Sequence, residues 1–510
     1  MATPVSATLQ EHTLDPENWD ELRALGHRMV DDMVAYLETV RERPVWQPTS
    51  ATAREAFAAP VPREGAGAAG AYEEFLAHVL PYPMGNIHPR FWGWVIGTGT
   101  LNGAFAEMLA AAMNPNVGGG DHAAARVEAQ VVGWCREMVG YPAEASGLLV
   151  TGGSEGNLLG LAVARQATAG IDVRAEGVRA ATGPLTVYAS NEAHSSVRKA
   201  AELLGLGTAG LRLVPVHDDF SVDVEALASM VREDRAAGMV PIAIVANAGT
   251  VNTGAFDDIP ALADLAARER IWLHVDGAFG ALAALAPDAV SDENRRRVGA
   301  MARADSLSFD LHKWMYMPYD IGCVLVRDAA LHHATFSLTP SYLQRATRGL
   351  AAGDYWPSDY GMQLSRGFRA LKAWMLLKEH GTEAYGAQIR KNIGQAAYLA
   401  DLVDEAPDLE RVAPAPLNIV CFRYVGSAGA QGGGGAGARD PEATNELNRE
   451  LLVRLQESGV AFPTNAVIGG RYAIRVAISN HRSRREDFDL LVTEVRRLGR
   501  ELESEAAASR

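Results

Sequence analysis

Residues 147–157 read Gly147-Leu148-Leu149-Val150-Thr151-Gly152-Gly153-Ser154-Glu155-Gly156-Asn157, an apolar run that breaks into small and polar residues. Gly147–Val150 has the length and composition of a buried strand, and Asn157–Gln166 follows with apolar residues at helical spacing. The same order recurs along the chain. Strands are expected at Thr186–Ala189, Leu211–Val214, Ile242–Ala246, Ile271–Val275, Ser306–Phe309 and Cys323–Val326, with helices such as Ile259–Arg268 between many of them. Strands separated by helix-length crossovers imply a mostly parallel sheet buried on both faces. The expected fold class is α/β, and in such sheets ligands gather at the carboxyl ends of the strands.

Four strand ends carry residues that suit one site. The first is the quoted turn, where small residues let backbone approach an anion and helix N-terminal amides favour phosphate. A tight turn alone would also use such glycines. Strand Ile271–Val275 ends in Asp276, followed by Gly277 and Ala278. A carboxylate ending a buried strand is costly unless a cation or strong donor meets it. Strand Ser306–Phe309 runs into Asp310-Leu311-His312-Lys313-Trp314, which places a lysine among aromatic and apolar neighbours where burial favours a nucleophilic amine. Strand Thr186–Ala189 leads to Asn191-Glu192-Ala193-His194-Ser195-Ser196; a lone histidine is usually structural, but one delivered to the same edge as Asp276 and Lys313 could instead stack on a flat ring.

A rival reading uses the same turn. Gly152-Gly153-Ser154-Glu155-Gly156 matches G-x-S-x-G, a serine-hydrolase nucleophile elbow, and Asp276 and His312 follow in triad order. That reading leaves Lys313 and His194 without roles and lacks an upstream oxyanion-hole motif.

The rest of the chain frames this core. Trp19 to Val40 repeats apolar residues at three- and four-residue steps, an amphipathic helix. Gln47 to Gly70 reads as a connecting loop with a short helix near Arg54–Phe57, and Tyr72–Leu80 as another short helix. After residue 379 the texture changes to long charged helices, a strand Ile419–Tyr424, a glycine-rich stretch from Ser427 to Arg439, a helix Ala443–Ser458 and a strand Tyr472–Ile478. The expected organisation is an N-terminal helical arm (1–85), a large domain (86–378) and a small α+β domain (379–510).

Composition narrows the function. With 47 Lys plus Arg against 62 Asp plus Glu, the chain carries a formal charge of -15, which disfavours nucleic acid and anionic membranes as partners. Hydrophobic residues at 48% and charged residues at 21% exclude a disordered chain. Cys135, Cys323 and Cys421 are isolated, so neither a disulfide framework nor a zinc site is expected, and no metal site is read elsewhere. No signal pattern and no membrane-length apolar run occurs. A cytoplasmic enzyme is the expectation.

The chain resembles the pyridoxal-phosphate group II decarboxylases, whose best-known members are aromatic-L-amino-acid decarboxylases. The resemblance rests on His88-Pro89-Arg90-Phe91, Glu192-Ala193-His194-Ser195-Ser196, Ile271-Trp272-Leu273-His274-Val275-Asp276, His312-Lys313-Trp314 and Phe368-Arg369-Ala370-Leu371-Lys372, in the family's order, and reaches back to Met29-Val30-Asp31. It implies a type I aminotransferase fold and a homodimer with sites at the interface, the N-terminal helices wrapping the partner. By position it implies Lys313 as the Schiff-base lysine of pyridoxal 5′-phosphate, Asp276 as the pyridine-nitrogen partner and His194 as the stacked residue. Gly153 and Ser154 match the phosphate-binding turn, with His312 and Ala278 nearby and Thr250 as a supporting hydrogen-bonding position. Tyr342, in Thr339-Pro340-Ser341-Tyr342-Leu343, matches the catalytic tyrosine of a mobile loop, and residues to Asp354 fit a lid. The implied reaction is decarboxylation of an L-amino acid, with transamination or aldehyde formation as the competing pyridoxal-phosphate chemistries. Related aldehyde synthases replace the loop tyrosine or the stacked histidine, and this chain keeps both.

The substrate half departs from the family. Trp92-Gly93-Trp94-Val95-Ile96-Gly97 and Asn116-Val117-Gly118-Gly119-Gly120 stand where aromatic-specific members carry bulky side chains. Trp94, Val95, Gly118 and Gly119 are the candidate substrate-binding residues, the glycines either enlarging the pocket or offering backbone amides to a polar group. The family's asparagine near the lysine is Asp310 here, adding a negative charge.

Overall fold

The computed structural model describes residues 13–338, 345–426 and 440–508. The chain divides between Met84 and Gly85 into two units. In the first, the amphipathic pattern forms helix α1, Trp19–Glu38, whose first amides are capped by the Asn18 side chain. Helices α2 (Ala51–Phe57) and α3 (Gly67–Glu74) follow, and α3 continues into a π turn at Phe75–Val79. Tyr72 of α3 donates its hydroxyl to Asp32 of α1 at 2.8 Å, with Arg28 lying over the same ring.

The second unit contains two sheets. Its strands in chain order are β1 (Phe91–Trp92), β2 (Ser146–Val150), β3 (Leu185–Ser190), β4 (Leu211–Val214), β5 (Val240–Asn247), β6 (Trp272–Asp276), β7 (Ser306–Asp310), β8 (Gly322–Val326), β9 (Leu409–Arg411), β10 (Ile419–Tyr424), β11 (Phe462–Ile468) and β12 (Arg471–Ala477). Seven of them form the large sheet, in the order β2-β8-β7-β6-β5-β3-β4. All point the same way except β8, which is antiparallel to both β2 and β7. The α/β expectation holds.

Side-chain alternation explains why these strands read as unbroken apolar runs. Leu149, Tyr188, Ile244 and Leu325 join one core, while their chain neighbours Leu148, Val187, Val245 and Val324 join a second. Both faces of the sheet are therefore covered. Each such side chain contributes about 1.5–3 kcal/mol on full burial. Helices α4 (Leu101–Met113) and α5 (Ala123–Met138) precede β2, while α6 (Gly153–Thr168) begins the connection from β2 to β3 and lies against β5 to β8.

The second sheet has the order β1-β11-β12-β10-β9, with β1 parallel to β11 and the other pairs antiparallel. Val420, Phe422, Ile474 and Val476 pack with Leu451, Phe488 and Leu491 of the two C-terminal helices, Pro441–Glu457 and Arg485–Ala508. The helix Ala370–Glu405 connects the two cores and kinks at Gly381, which has φ 68°. Before the kink Ala373 and Leu376 pack in the large-sheet core; after it Leu399 and Val403 pack in the second. The change of texture near residue 379 falls inside this helix, beside the kink.

Three strands were not anticipated. β11 begins Phe462-Pro463-Thr464-Asn465, and proline and asparagine are poor strand formers. β1 and β9 are two and three residues long and owe their form to distant partners. The glycine-rich stretch 427–439 lies outside the described residues.

Candidate functional site

The directions of β2, β3, β5, β6 and β7 bring their carboxyl ends to one edge. In register, Asn247, Asp276 and Ser308 lie side by side across β5, β6 and β7, and Asp310 pairs with Gly322, which pairs with Val150. The residues that follow these ends converge. β7 runs into a single helical turn, Leu311–Trp314, that presents Lys313 with its side chain 22% exposed. β3 leads to His194, which caps the helix Ser195–Leu203.

Asp276 is buried and held by two donors. Its Oδ2 accepts from Asn157 Nδ2 at 2.7 Å, and its Oδ1 accepts the Ala278 N–H at 3.1 Å. Because a carboxylate only accepts, Asn157 must present its amide nitrogen there and its oxygen to the other side. That oxygen accepts from His274 Nε2 at 2.9 Å and from the Ser308 hydroxyl. His274 therefore carries its proton on Nε2, and its Nδ1 accepts from Ser306 Oγ at 2.8 Å, which accepts from Trp272 Nε1. Burial pushes the His274 pKa down to about 4 against the pull of Asp276, so the ring is neutral. The chain of donors from Trp272 to Asp276 has one direction. Asn157 stood in the quoted turn without a role, and its partners are too scattered in sequence to have suggested one.

His194 is tied into the same network. Its Nδ1 accepts the Ser196 N–H at 3.2 Å and lies 2.8 Å from Ser196 Oγ, which also accepts from Asn157. With Nδ1 an acceptor, the neutral ring holds its proton on Nε2. The residue is exposed, yet the protein around the imidazole still lowers its pKa by desolvation; Lys313 adds to this, while Asp276 and Asp310 oppose it.

Around the turn, α6 starts at Gly153 with no side-chain cap, and Ser154 is exposed in its first turn. Glu155 folds back to accept from the Thr151 N–H and hydroxyl, both at 2.8 Å. Asp310 Oδ2 is 2.7 Å from Lys313 Nζ and 3.8 Å from His312 Nε2. His312 Nδ1 accepts the Ile321 N–H at 3.2 Å, and burial lowers its pKa. Ala278 joins the parts: its carbonyl accepts the Asp310 N–H at 2.9 Å, and a Cβ on Gly153 would lie 3.5 Å from its own. The bonds a Ser154 triad would need are otherwise engaged, since Asp276 is held by Asn157 and His312 by Ile321. Thr250 is buried in the loop after β5, its hydroxyl 3.0 Å from Thr253 Oγ1 and accepting the Ala255 N–H.

The substrate candidates separate. Gly97 crosses the lysine turn so closely that a Cβ would sit 1.8 Å from the His312 carbonyl oxygen, which brings the Trp94–Gly97 segment to the site. Trp94 is 48% exposed, with φ 48° and its ring beside Phe91 and Phe462, whereas Val95 is buried in the core. Gly118 and Gly119 have a packing reason to lack side chains. A Cβ on Gly118 would meet the Leu364 carbonyl at 2.2 Å, and one on Gly119 the Trp356 ring at 2.2 Å. The space the glycines leave is filled by the chain itself. Tyr342 lies outside the described residues.

Comparison with known proteins identifies the family. The family model for the pyridoxal-dependent decarboxylase conserved domain matches residues 76–425. The chain is 31% identical over 491 residues to an aromatic-L-amino-acid decarboxylase of Bacillus atrophaeus, covering 95% of this chain and 96% of that protein. It is 30% identical to tryptophan decarboxylase 1 of Oryza sativa subsp. japonica, covering 92% of this chain and 91% of the relative. A crystal structure of Oryza sativa TDC with PLP and tryptamine matches with a TM-score of 0.86 at 28% identity, covering 96% of this chain and 100% of that one.

Proposed function

This chain belongs to the pyridoxal-dependent decarboxylase family, and from that premise we propose how its residues divide the work of decarboxylating an aromatic L-amino acid. It is a pyridoxal-phosphate-dependent amino-acid decarboxylase, a lyase acting on a small-molecule substrate. The names of its relatives favour an aromatic side chain.

Lys313 would hold the cofactor covalently, Asp276 would meet its pyridine nitrogen and His194 would lie against its ring. The amides of Gly153 and Ser154, the Ser154 hydroxyl and His312 receive the phosphate, while Ala278 and Thr250 support the floor. The residues fit that group: α6 opens with uncapped amides beside two glycines, and Asp276 is held facing the edge by two donors. Bound pyridoxal phosphate supplies an electron sink for the bond broken as carbon dioxide leaves. The observation that carries the reading is that adjacent parallel strands β6 and β7 deliver Asp276 and Lys313 to one edge beside the α6 N-terminus.

The protein's own share is orientation and proton delivery. The Trp272–Ser306–His274–Asn157 chain keeps Asp276 in one rotamer. Tyr342, with His194 as the alternative, delivers a proton to the substrate α-carbon; His194 holds one on Nε2. Trp94 offers an aromatic wall, Val95 beside it sets the backbone from the core, and Gly118 and Gly119 shape their own segment by admitting the Leu364 backbone and the Trp356 ring. The organisation we infer is an arm (1–85), a large domain (86–378) and a small domain (379–510); the structure divides between Met84 and Gly85, with both sheets in the second unit.

A homodimer in the cytoplasm completes the reading. In the single chain α4 exposes Met108, Leu109 and Met113 at 54%, 44% and 62%, and α1 exposes Trp19 at 60%, surfaces suited to a second copy. All three cysteines are unbridged and buried, as in a reducing compartment. The deciding experiment is an absorbance spectrum of the purified protein and of Lys313→Ala, followed by a screen of aromatic amino acids for amine and carbon dioxide. A visible band lost in the variant, with stoichiometric carbon dioxide, is expected. A wild type without the band, or turnover without carbon dioxide, would overturn it.

A further inference from the structure

Asp310 is the last residue of β7, and its side chain is only 2% exposed. One oxygen, Oδ2, faces Lys313 Nζ at 2.7 Å and His312 Nε2 at 3.8 Å. The other, Oδ1, accepts no hydrogen bond among the described residues. It lies against backbone: a Cβ on Gly322 would come within 2.6 Å of it and one on Gly152 within 3.5 Å, while a Cβ on Gly153 would be 3.2 Å from Oδ2. The carboxylate thus fills the crook between the lysine and the turn that opens α6. Burying a carboxylate oxygen without a donor costs stability and needs a reason.

Two anions are directed to one place. The α6 N-terminus attracts a phosphate, and Asp310 already sets a negative charge beside the glycines of that turn. Like charges a few ångströms apart in a partly dry site oppose one another strongly. Lys313 answers the carboxylate while its nitrogen is an ammonium, and a nitrogen that bonds covalently elsewhere must give up at least part of that pairing.

We propose that Asp310 is a positioning residue that parks the Lys313 ammonium beside the phosphate-binding turn, and that its charge weakens the hold on the cofactor's phosphate, keeping pyridoxal 5′-phosphate exchangeable. The proposal rests on the assignment of Lys313 as the cofactor lysine and concerns affinity rather than chemistry. The carboxylate acts through two neighbours, the lysine and the phosphate, so ligands with and without phosphate separate its effects.

The test titrates the full-length chain, freed of cofactor, with pyridoxal 5′-phosphate and with pyridoxal, following visible absorbance and tryptophan fluorescence. Asp310→Asn should bind pyridoxal 5′-phosphate at least about tenfold more tightly than wild type, with pyridoxal changed by less than about threefold. Asp310→Glu, which keeps the charge, should stay with wild type. Equal or weaker binding of pyridoxal 5′-phosphate by Asp310→Asn, or equal tightening of both ligands, would overturn the proposal. Asp310→Ser is read in the same way if the asparagine variant does not fold. Lys313→Ala checks the underlying assignment separately: it must lose the visible band, and a retained band removes both assignments at once.

Discussion

The carboxylate of Asp276 is aimed by Asn157, whose amide nitrogen sits 2.7 Å from it, while the same amide's oxygen is held by His274 at 2.9 Å. The Asn157 side chain, 1% exposed, has no freedom to turn over, because reversing it would set two acceptors together at Asp276 and two donors together at His274. A fixed carboxylate at the end of β6 is what a protonated ring nitrogen requires, and its orientation originates in the second turn of α6.

Removing that aim should weaken the cofactor before it alters the fold. Asn157→Ala leaves Asp276 with the Ala278 N–H and strands a buried His274 proton, a loss of about 1–3 kcal/mol. The expected result is roughly tenfold weaker binding of pyridoxal 5′-phosphate by visible titration, with a modest drop in melting temperature. Wild-type affinity in this variant would show that Asp276 holds its rotamer without the amide.

Acid should destabilise the protein through buried histidines. Burial holds His274 and His332 at about 4 and His481 at about 3, against an ordinary value of 6.5. Between those limits the unfolded chain binds more protons than the folded one, so stability rises with pH across the window and is lost as pH falls through it. Each pKa unit corresponds to about 1.4 kcal/mol. His332, whose ring bridges Ser146 Oγ and the Tyr360 carbonyl away from the lysine, is the clean probe. Melting temperatures of His332→Gln should fall less steeply from pH 6.5 to 4 than those of wild type, and parallel curves would count against the assignment.

That Asp276, Lys313 and His194 meet at one edge of the sheet was legible because each follows a strand end. Asp276, Lys313 and His194 each follow a short apolar run bounded by turn residues, and parallel strands bring such ends together whatever lies between. The supporting half was not. Asn157 meets Asp276, Ser196, His274 and Ser308 only after four elements are assembled, and nothing local marks it. At Gly118 and Gly119 the sequence left two readings open, an enlarged pocket or backbone amides for a polar group. An absent side chain reads as open space, but Trp356 and the Leu364 backbone, remote in sequence, occupy it.

That packing makes Gly119 sensitive to a single methyl group. A Cβ there would lie 2.2 Å from the Trp356 ring, inside any tolerable contact, so Gly119→Ala should destabilise by about 1–3 kcal/mol. Pairing it with Trp356→Leu should recover part of the loss in denaturant unfolding. If the double variant is no better than the sum of the singles, the ring is not what Gly119 accommodates.

Replacing Tyr342 tests proton delivery independently of cofactor binding. Tyr342→Phe should keep the visible band and the melting temperature while amine formation falls by roughly 10²-fold or more. Aldehyde formed with consumption of dioxygen is the expected diversion, measured by product analysis and an oxygen electrode. Unchanged amine formation would move the proton to His194.

The most severe substitution lies where β2 approaches the turn that opens α6. Arg366 and Glu128 are both buried, 2.6 Å apart, and the same guanidinium donates to the carbonyls of Leu149 in β2 and Val117 before the glycines. Burial raises the Glu128 pKa, and the Arg366 guanidinium opposes that rise. Arg366→Met strands a carboxylate and two carbonyls, and should cost about 3–5 kcal/mol. Glu128→Gln in the same chain removes the stranded charge, and the double variant should regain stability over Arg366→Met alone, read as the midpoint of denaturant unfolding. The pair supports β2 where it enters the turn, so Arg366→Met should also weaken pyridoxal 5′-phosphate, and Glu128→Gln should not restore that loss because the Leu149 and Val117 carbonyls stay unpaired. Full recovery of both quantities would mean that the guanidinium acts only as a counter-ion.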